Sequence, residues 1–306
     1  SSPESVSFPW SMIDKITPRP DAGVQAQLKA DGFEDAEIIV TDKHTYTASF
    51  VNAESPQYLV IEDAFPNGRP PLEKAGVYFT TRDTVNKVER MKVCTCLNPL
   101  HTALAIYGCL LGYTLIADEM KDAELNTLVH RIGYDEGLPV VTDPKIIDPK
   151  KFIDEVVTVR IPNPFMPDTP QRIACDTSQK LSIRFGETIK AYAADPALGT
   201  HKLKYIPLVL AGWCRYLMAL DDEGKKFELS PDPLLGRVCP FVERIELGRT
   251  YTPEALDGFL HGLLSDASLF GVDLYAAGLA PLVLEYFGEL TAGKGAVRAA
   301  LKKHIC

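Results

Sequence analysis

From Asp83 onward, apolar residues recur at three- and four-residue intervals through most of this chain, a period that suits helices with one buried stripe and little else. The pattern marks helices over residues 100–120, 123–132, 151–159, 180–193, 205–220, 253–265, 274–290 and 296–304. Residues 83–306 are therefore expected to form one all-helical domain of roughly 220 residues, near the upper size of a single core. Residues 1–82 read differently. Residues 36–41 and 57–62 are short β-branched runs bounded by Asp, Pro and Gly, residues 5–9 are extended, residues 24–30 are a weak helix, and Gly68, Pro70 and Pro71 mark a loop. The fold class is thus mainly α, preceded by a small α/β region.

Charge removes one function class. Asp and Glu outnumber Lys and Arg by 41 to 32, the wrong sign for neutralising a phosphate backbone, so no nucleic-acid partner is expected. No run of about 18 uncharged apolar residues occurs, and the opening Ser1 to Ser5 lacks the basic and apolar regions of a signal peptide, so no membrane partner is expected. The seven cysteines are an odd number, several within apolar helical runs, which fits a reduced cytoplasmic protein. Cys94, Cys96 and His101 lie close in sequence but lack a second ligand pair at zinc spacing, and no metal is expected.

Two stretches carry chemistry. In residues 89–101, Lys92, Asn98 and His101 gather at one helix start, where they suit a general base, an oxyanion donor and a hydroxyl partner in alcohol oxidation. The plainer alternative makes Asn98 an N-cap, Pro99 the first helical residue and Lys92 a solvated side chain. In residues 160–180, prolines restrict a loop that carries Asn163, Asp168, Arg172, Asp176 and Lys180; it either holds a charged or hydroxylated ligand or caps helices. Gly293 and Gly295 mimic a dinucleotide fingerprint, but a helical pattern precedes them, so they read as a helix end followed by another helix.

Four ordered blocks, at residues 8–18, 59–70, 92–101 and 163–180, give the chain its resemblance to the long-chain mannitol dehydrogenases, a family that includes fructuronate and tagaturonate reductases. The resemblance implies NAD- or NADP-dependent hydride transfer on a sugar acid or polyol, with fructuronate and mannonate first and mannitol or tagaturonate as alternatives. It implies Lys92 as base, Asn98 as oxyanion stabiliser, His101 as substrate contact, Glu89 as an aid to proton release, Arg172 and Lys180 as sugar ligands, and Asp14 facing the nicotinamide. It also makes residues 1–82 the C-terminal part of a nucleotide-binding domain. The family's glycine-rich cofactor loop would precede Phe8, and nothing of that size stands there, so the isolated chain is expected to bind NAD(H) weakly and to serve at most as a sugar-binding or interaction module. A further departure is local. Five residues separate Lys92 from Asn98 where the family has four, which on a straight helix swings Lys92 from roughly 80° to roughly 180° around from His101. A π-bulge, kink or non-helical turn within residues 93–98 is therefore expected.

Overall fold

In the computed structural model, which describes residues 6–42 and 45–305, side-chain alternation decides the first strand. In β1 (Ser11–Asp14), Met12 and Asp14 are buried while Ser11 and Ile13 face outward. Helix α1 (Ala22–Ala30) follows, with Asp21 Oδ1 accepting from the Gly23 and Val24 N–H groups. β2 (Ile39–Val40) and β3 (Tyr46–Thr47) make a minimal exposed ladder. β4 (Tyr58–Glu62) pairs antiparallel with β1, Met12 opposite Val60, and parallel with β5 (Tyr78–Thr80), Val60 opposite Tyr78.

Helices make up the rest: α2 (Arg82–Met91), α3 (Asn98–Leu111), α4 (Ile116–Glu119), α5 (Ala123–His130), α6 (Pro149–Glu155), α7 (Pro170–Ile173), α8 (Glu187–Ala194), α9 (Tyr205–Tyr216), α10 (Leu235–Val238), α11 (Pro253–Leu264), α12 (Ala267–Phe270), α13 (Ala280–Leu290) and α14 (Ala296–Ile305). Four π-helical segments adjoin them, at Lys92–Cys96, Arg131–Gly137, Val156–Arg160 and Ser182–Gly186. The chain divides into two units, Ser1–Val88 with Asn163–Pro167, and Glu89–Pro162 with Asp168–Cys306. The first holds the strands and α1; the second is helical.

The core of the helical unit packs α3 against α9 and α9 against α13. Leu100, Leu104, Ile106, Tyr107, Leu208, Leu210, Phe287 and Leu290 are fully buried there. Tyr107 Oη donates to the Leu208 carbonyl at 2.7 Å, and a Cβ on Gly212 would meet the Tyr107 ring at 2.8 Å, so this helix crossing requires glycine. The N-terminus of α9 is buried too, and the Glu136 carboxylate accepts from the Lys204, Tyr205 and Ile206 N–H groups. From α2 through α3 the helical course runs 30 residues and is apolar enough to cross a membrane by length and composition, but 83% of its apolar window is packed inside the protein.

Several expected elements are corrected. The helix at 100–120 is two, because Gly112 at φ 78° closes α3 in a left-handed cap. The helix at 205–220 stops at Tyr216, and Ala219 follows at φ 54°. The helix at 274–290 begins only at Ala280, since Asp273 Oδ1 holds the Tyr275 and Ala276 N–H groups in a turn and Gly278 is left-handed. The strand at 36–41 shrinks to two exposed residues with no face to bury. Residues 6–9 are not in a strand, and Ser5 and Cys306 lie outside the described residues. Gly293 and Gly295 do join two helices, and Asp222 already accepts from the Val297 and Arg298 N–H groups at the start of α14, leaving no room there for a phosphate.

Glu119 offers a test of this packing. It is fully buried against Gly108 of α3, neither carboxylate oxygen has a hydrogen-bond partner, and burial followed by the Asp122 charge pushes its pKa up to about 9. Between the ordinary carboxylate range and about 9, the folded chain keeps a proton that the unfolded chain has released, so this carboxyl subtracts stability as pH rises through that window. Glu119→Gln should therefore be the more stable protein in denaturant titrations, its advantage growing by about 1.4 kcal/mol per pH unit. A constant difference from pH 6 to 9 would show that Glu119 ionises normally.

Candidate active site

The helical unit gathers its polar chemistry where α2 gives way to α3. Lys92–Cys96 form the π-turn, and the Leu97 N–H closes a five-residue bond of 3.1 Å on the Lys92 carbonyl. Leu97 leaves helical space at φ −130° and ψ −62°, and Asn98 then opens α3. Pro99 has no N–H to give the Thr95 carbonyl and its ring crowds that oxygen, so a regular helix cannot run through the junction. This irregular stretch is the departure from regular helix expected within residues 93–98.

Asn98 separates the two readings of this stretch. An N-cap would accept from the N–H groups of α3, but Leu97 holds the cap position, no side chain caps the helix, and Asn98 Oδ1 is buried without a hydrogen-bond partner. Leaving such an atom unbonded costs on the order of 1–3 kcal/mol. Burial lowers the pKa of His101 to about 4; Asp168 pulls it back up, while Arg184, Arg172 and Arg160 push it further down. The half-buried imidazole is therefore neutral at physiological pH, with one nitrogen to donate and one to accept. Lys92 is half-buried at the start of the π-turn, and Glu89 is exposed in the last turn of α2.

Cations surround this group. Thr169 caps α7 by accepting from the Arg172 N–H, and the Arg172 guanidinium, two-thirds exposed, grips Asp168 with two bonds of 2.6 and 2.5 Å. The capping network is present, then, and the Arg172 charge still reaches His101. Lys180 Nζ donates to the Cys175 carbonyl, and burial, then Arg184, hold its pKa below the usual lysine range. Arg184 Nη1 donates to Thr102 Oγ1 at 2.6 Å, and Thr102 Oγ1 donates in turn to the Asn98 carbonyl at 2.8 Å. Arg160 is buried, its guanidinium 5.7 Å from the centre of the Phe152 ring.

Sequence reasoning singled out neither Arg184 nor Arg160. The available signal for Arg184 was its place four residues after Lys180, on the same helical face. Asn163 falls in the other unit, where its Oδ1 accepts from the Phe165 N–H. Asp14 is also in that unit, buried at the end of β1 opposite Tyr58. Cys94 and Cys96 are buried thiols, Cys96 donating to the Pro149 carbonyl at 3.8 Å, and burial pushes the Cys96 pKa up to about 12.

Fold and site define a class: a helical domain with a lysine, an amide and a neutral imidazole at one helix start. Residues 84–251 match the Mannitol dehydrogenase C-terminal domain, and the chain belongs to that family. It is 57% identical over 304 residues to a D-mannonate oxidoreductase of Thermotoga maritima, covering 99% of this chain and 56% of the relative. It is 30% identical over 278 residues to a mannitol 2-dehydrogenase of Phaeosphaeria nodorum, covering 89% of this chain and 42% of the relative. The solved Pseudomonas fluorescens mannitol 2-dehydrogenase, a ternary complex with NAD and D-mannitol, matches 97% of this chain and 54% of its own at a TM-score of 0.74 and 26% identity. The chain spans about half the length of the curated relatives it matches.

The neutral imidazole can be checked directly. In a proton NMR titration, the His101 ring signals should stay unshifted from pH 9 down to about 5 and move only as pH approaches about 4. A midpoint at the ordinary histidine value would contradict the burial and cationic surroundings described above.

Proposed function

We propose that this chain provides the substrate half of an NAD- or NADP-dependent oxidoreductase that interconverts a keto sugar acid and its hydroxy acid, with fructuronate and mannonate the first choice. The observation that carries this reading is the charge around His101, where Arg184, Arg172 and Arg160 lower the pKa of the imidazole while Asp168 raises it. A site lined by arginines gains most from an anionic ligand, whereas a neutral hexitol brings it no charge. Tagaturonate carries the same carboxylate and suits the same argument; mannitol suits it less.

In oxidation, Lys92 takes the hydroxyl proton, the Asn98 amide donates to the oxygen as it becomes an alkoxide, and His101 pairs with a neighbouring hydroxyl. Glu89 receives the proton from Lys92 at the solvent side, and Arg172 and Lys180 hold the sugar. The nicotinamide of NAD or NADP supplies the hydride acceptor in oxidation and the donor in reduction. The described residues contain no strand-to-helix glycine turn to cradle its pyrophosphate, and after Gly293 and Gly295 the Asp222 carboxylate already accepts from the Val297 and Arg298 N–H groups of α14. We assign Asp14 to the nicotinamide side of the cofactor.

We read residues 1–82 as the C-terminal part of an α/β nucleotide-binding domain, which the parallel β4–β5 pair supports, and residues 83–306 as the catalytic domain. We also read the protein as cytoplasmic, without nucleic-acid or membrane partners. The net charge of −9 and six unpaired cysteines among the described residues support this.

In the protein that carries this chain, Lys92→Ala should lower the turnover of mannonate by about 10²–10⁴ with little change in sugar binding. Asn98→Ala should lower it by about 10²–10³. Full turnover in Lys92→Ala would place the base elsewhere, and sugar binding with no turnover in the parent would favour a binding module.

A further inference from the structure

Resting on the sugar-acid reading above, the geometry points to Arg184 as the residue that recognises the substrate carboxylate and so sets the preference for sugar acids over neutral polyols. Its guanidinium is half-buried and carries five N–H donors, yet its hydrogen-bond partner is a single hydroxyl, Thr102 Oγ1 at 2.6 Å. Among the described residues no carboxylate lies within salt-bridge distance of it. Other arginines of the helical unit are matched: Arg90 with Glu187, Arg131 with Asp135, Arg172 with Asp168, Arg237 with Asp266, and Arg298 with Asp122 and Glu124. Buried Arg215 is satisfied differently, by the carbonyls of Leu290, Leu220 and Asp221. Arg184 thus keeps unused donors in a fork that fits a carboxylate with two parallel bonds.

Its position is fixed from two sides. Through Thr102 it is tied to the first turn of α3, the turn that carries Asn98 and His101. Its own π-helical segment, Ser182–Gly186, is locked against the end of α12, where a Cβ on Gly186 would meet the Phe270 carbonyl oxygen at 2.2 Å and a Cβ on Gly271 would meet the Ser182 carbonyl oxygen at 2.9 Å. Burial alone lowers the Arg184 pKa to about 10, a measure of how poorly the surroundings compensate its charge, and an entering carboxylate would supply that compensation. Hydroxyls would not.

The test is calorimetric titration of this chain with D-mannonate and with D-mannitol, for wild type, Arg184→Gln and Arg184→Lys, with a melting temperature for each. Wild type should prefer mannonate. Arg184→Gln should weaken mannonate by at least about tenfold and leave mannitol within about twofold, while Arg184→Lys, which keeps the charge without the fork, should fall between. Mannonate preference that survives in Arg184→Gln overturns this assignment and leaves the sugar-acid reading standing. An equal loss of both sugars with a lowered melting temperature makes Arg184 structural and also overturns it. Wild type that binds mannitol as well as mannonate, or binds neither, overturns the sugar-acid reading and this inference with it. Should Arg184→Gln not fold, Arg184→Lys decides the matter by whether its loss is confined to mannonate.

Discussion

The helical unit depends on α3 being unable to rotate. Eleven of its fourteen residues are buried, Tyr107 is bonded into α9, Gly112 closes one end and Pro99 stiffens the other. Turning such a helix by even part of a residue would exchange Leu100 or Leu104 for a polar neighbour and open voids on the opposite side, at several kcal/mol per large side chain. The orientation of Asn98, His101 and Thr102 therefore follows from the core, not from the ligand. Irregularity needed to accommodate the lysine must fall outside α3, and the π-turn at Lys92–Cys96 is where it falls.

The same device recurs around the site. Lys92 opens one π-helical segment, Arg160 closes another and Arg184 lies within a third. A π-turn widens the helix by one residue and shifts a side chain off the ordinary face without ending the rod, which is useful where a charged group must be aimed inward from a helix that still has to pack. The electrostatic result is a cationic setting with a neutral imidazole within it. Asp168 tempers that setting and orients Arg172.

What could be read from the sequence follows the range of the forces involved. Helical periodicity reports burial of a stripe, a local property, and it located α5, α11 and α14 closely. It overran α3, α9 and α13 because their ends are set by Gly112, Ala219 and Asp273, where a backbone angle or a side-chain turn outweighs apolar spacing. Strands β1, β3 and β5 went unrecognised, being two to four residues long, and β1 also depends on a partner strand far along the chain. At the site, spacing alone showed that a regular helix could not bring Lys92 round to His101, because that is geometry. Arg184 was not legible, since its significance lies in lacking a carboxylate partner, a fact about neighbours some 80 residues away in sequence such as Thr102.

The central proposal is that the π-turn absorbs one residue and so keeps Lys92 in phase with Asn98 and His101. The most direct measurement is the rate of the proposed mannonate oxidation, in the protein that carries this chain, after deletion of Val93, which leaves four residues between lysine and asparagine. The account predicts that the stretch from α2 becomes ordinary α-helix, the protein stays folded and oxidation persists. A deletion variant that folds with unchanged stability yet has lost oxidation would contradict it, because the lysine would then owe its place to something other than this turn.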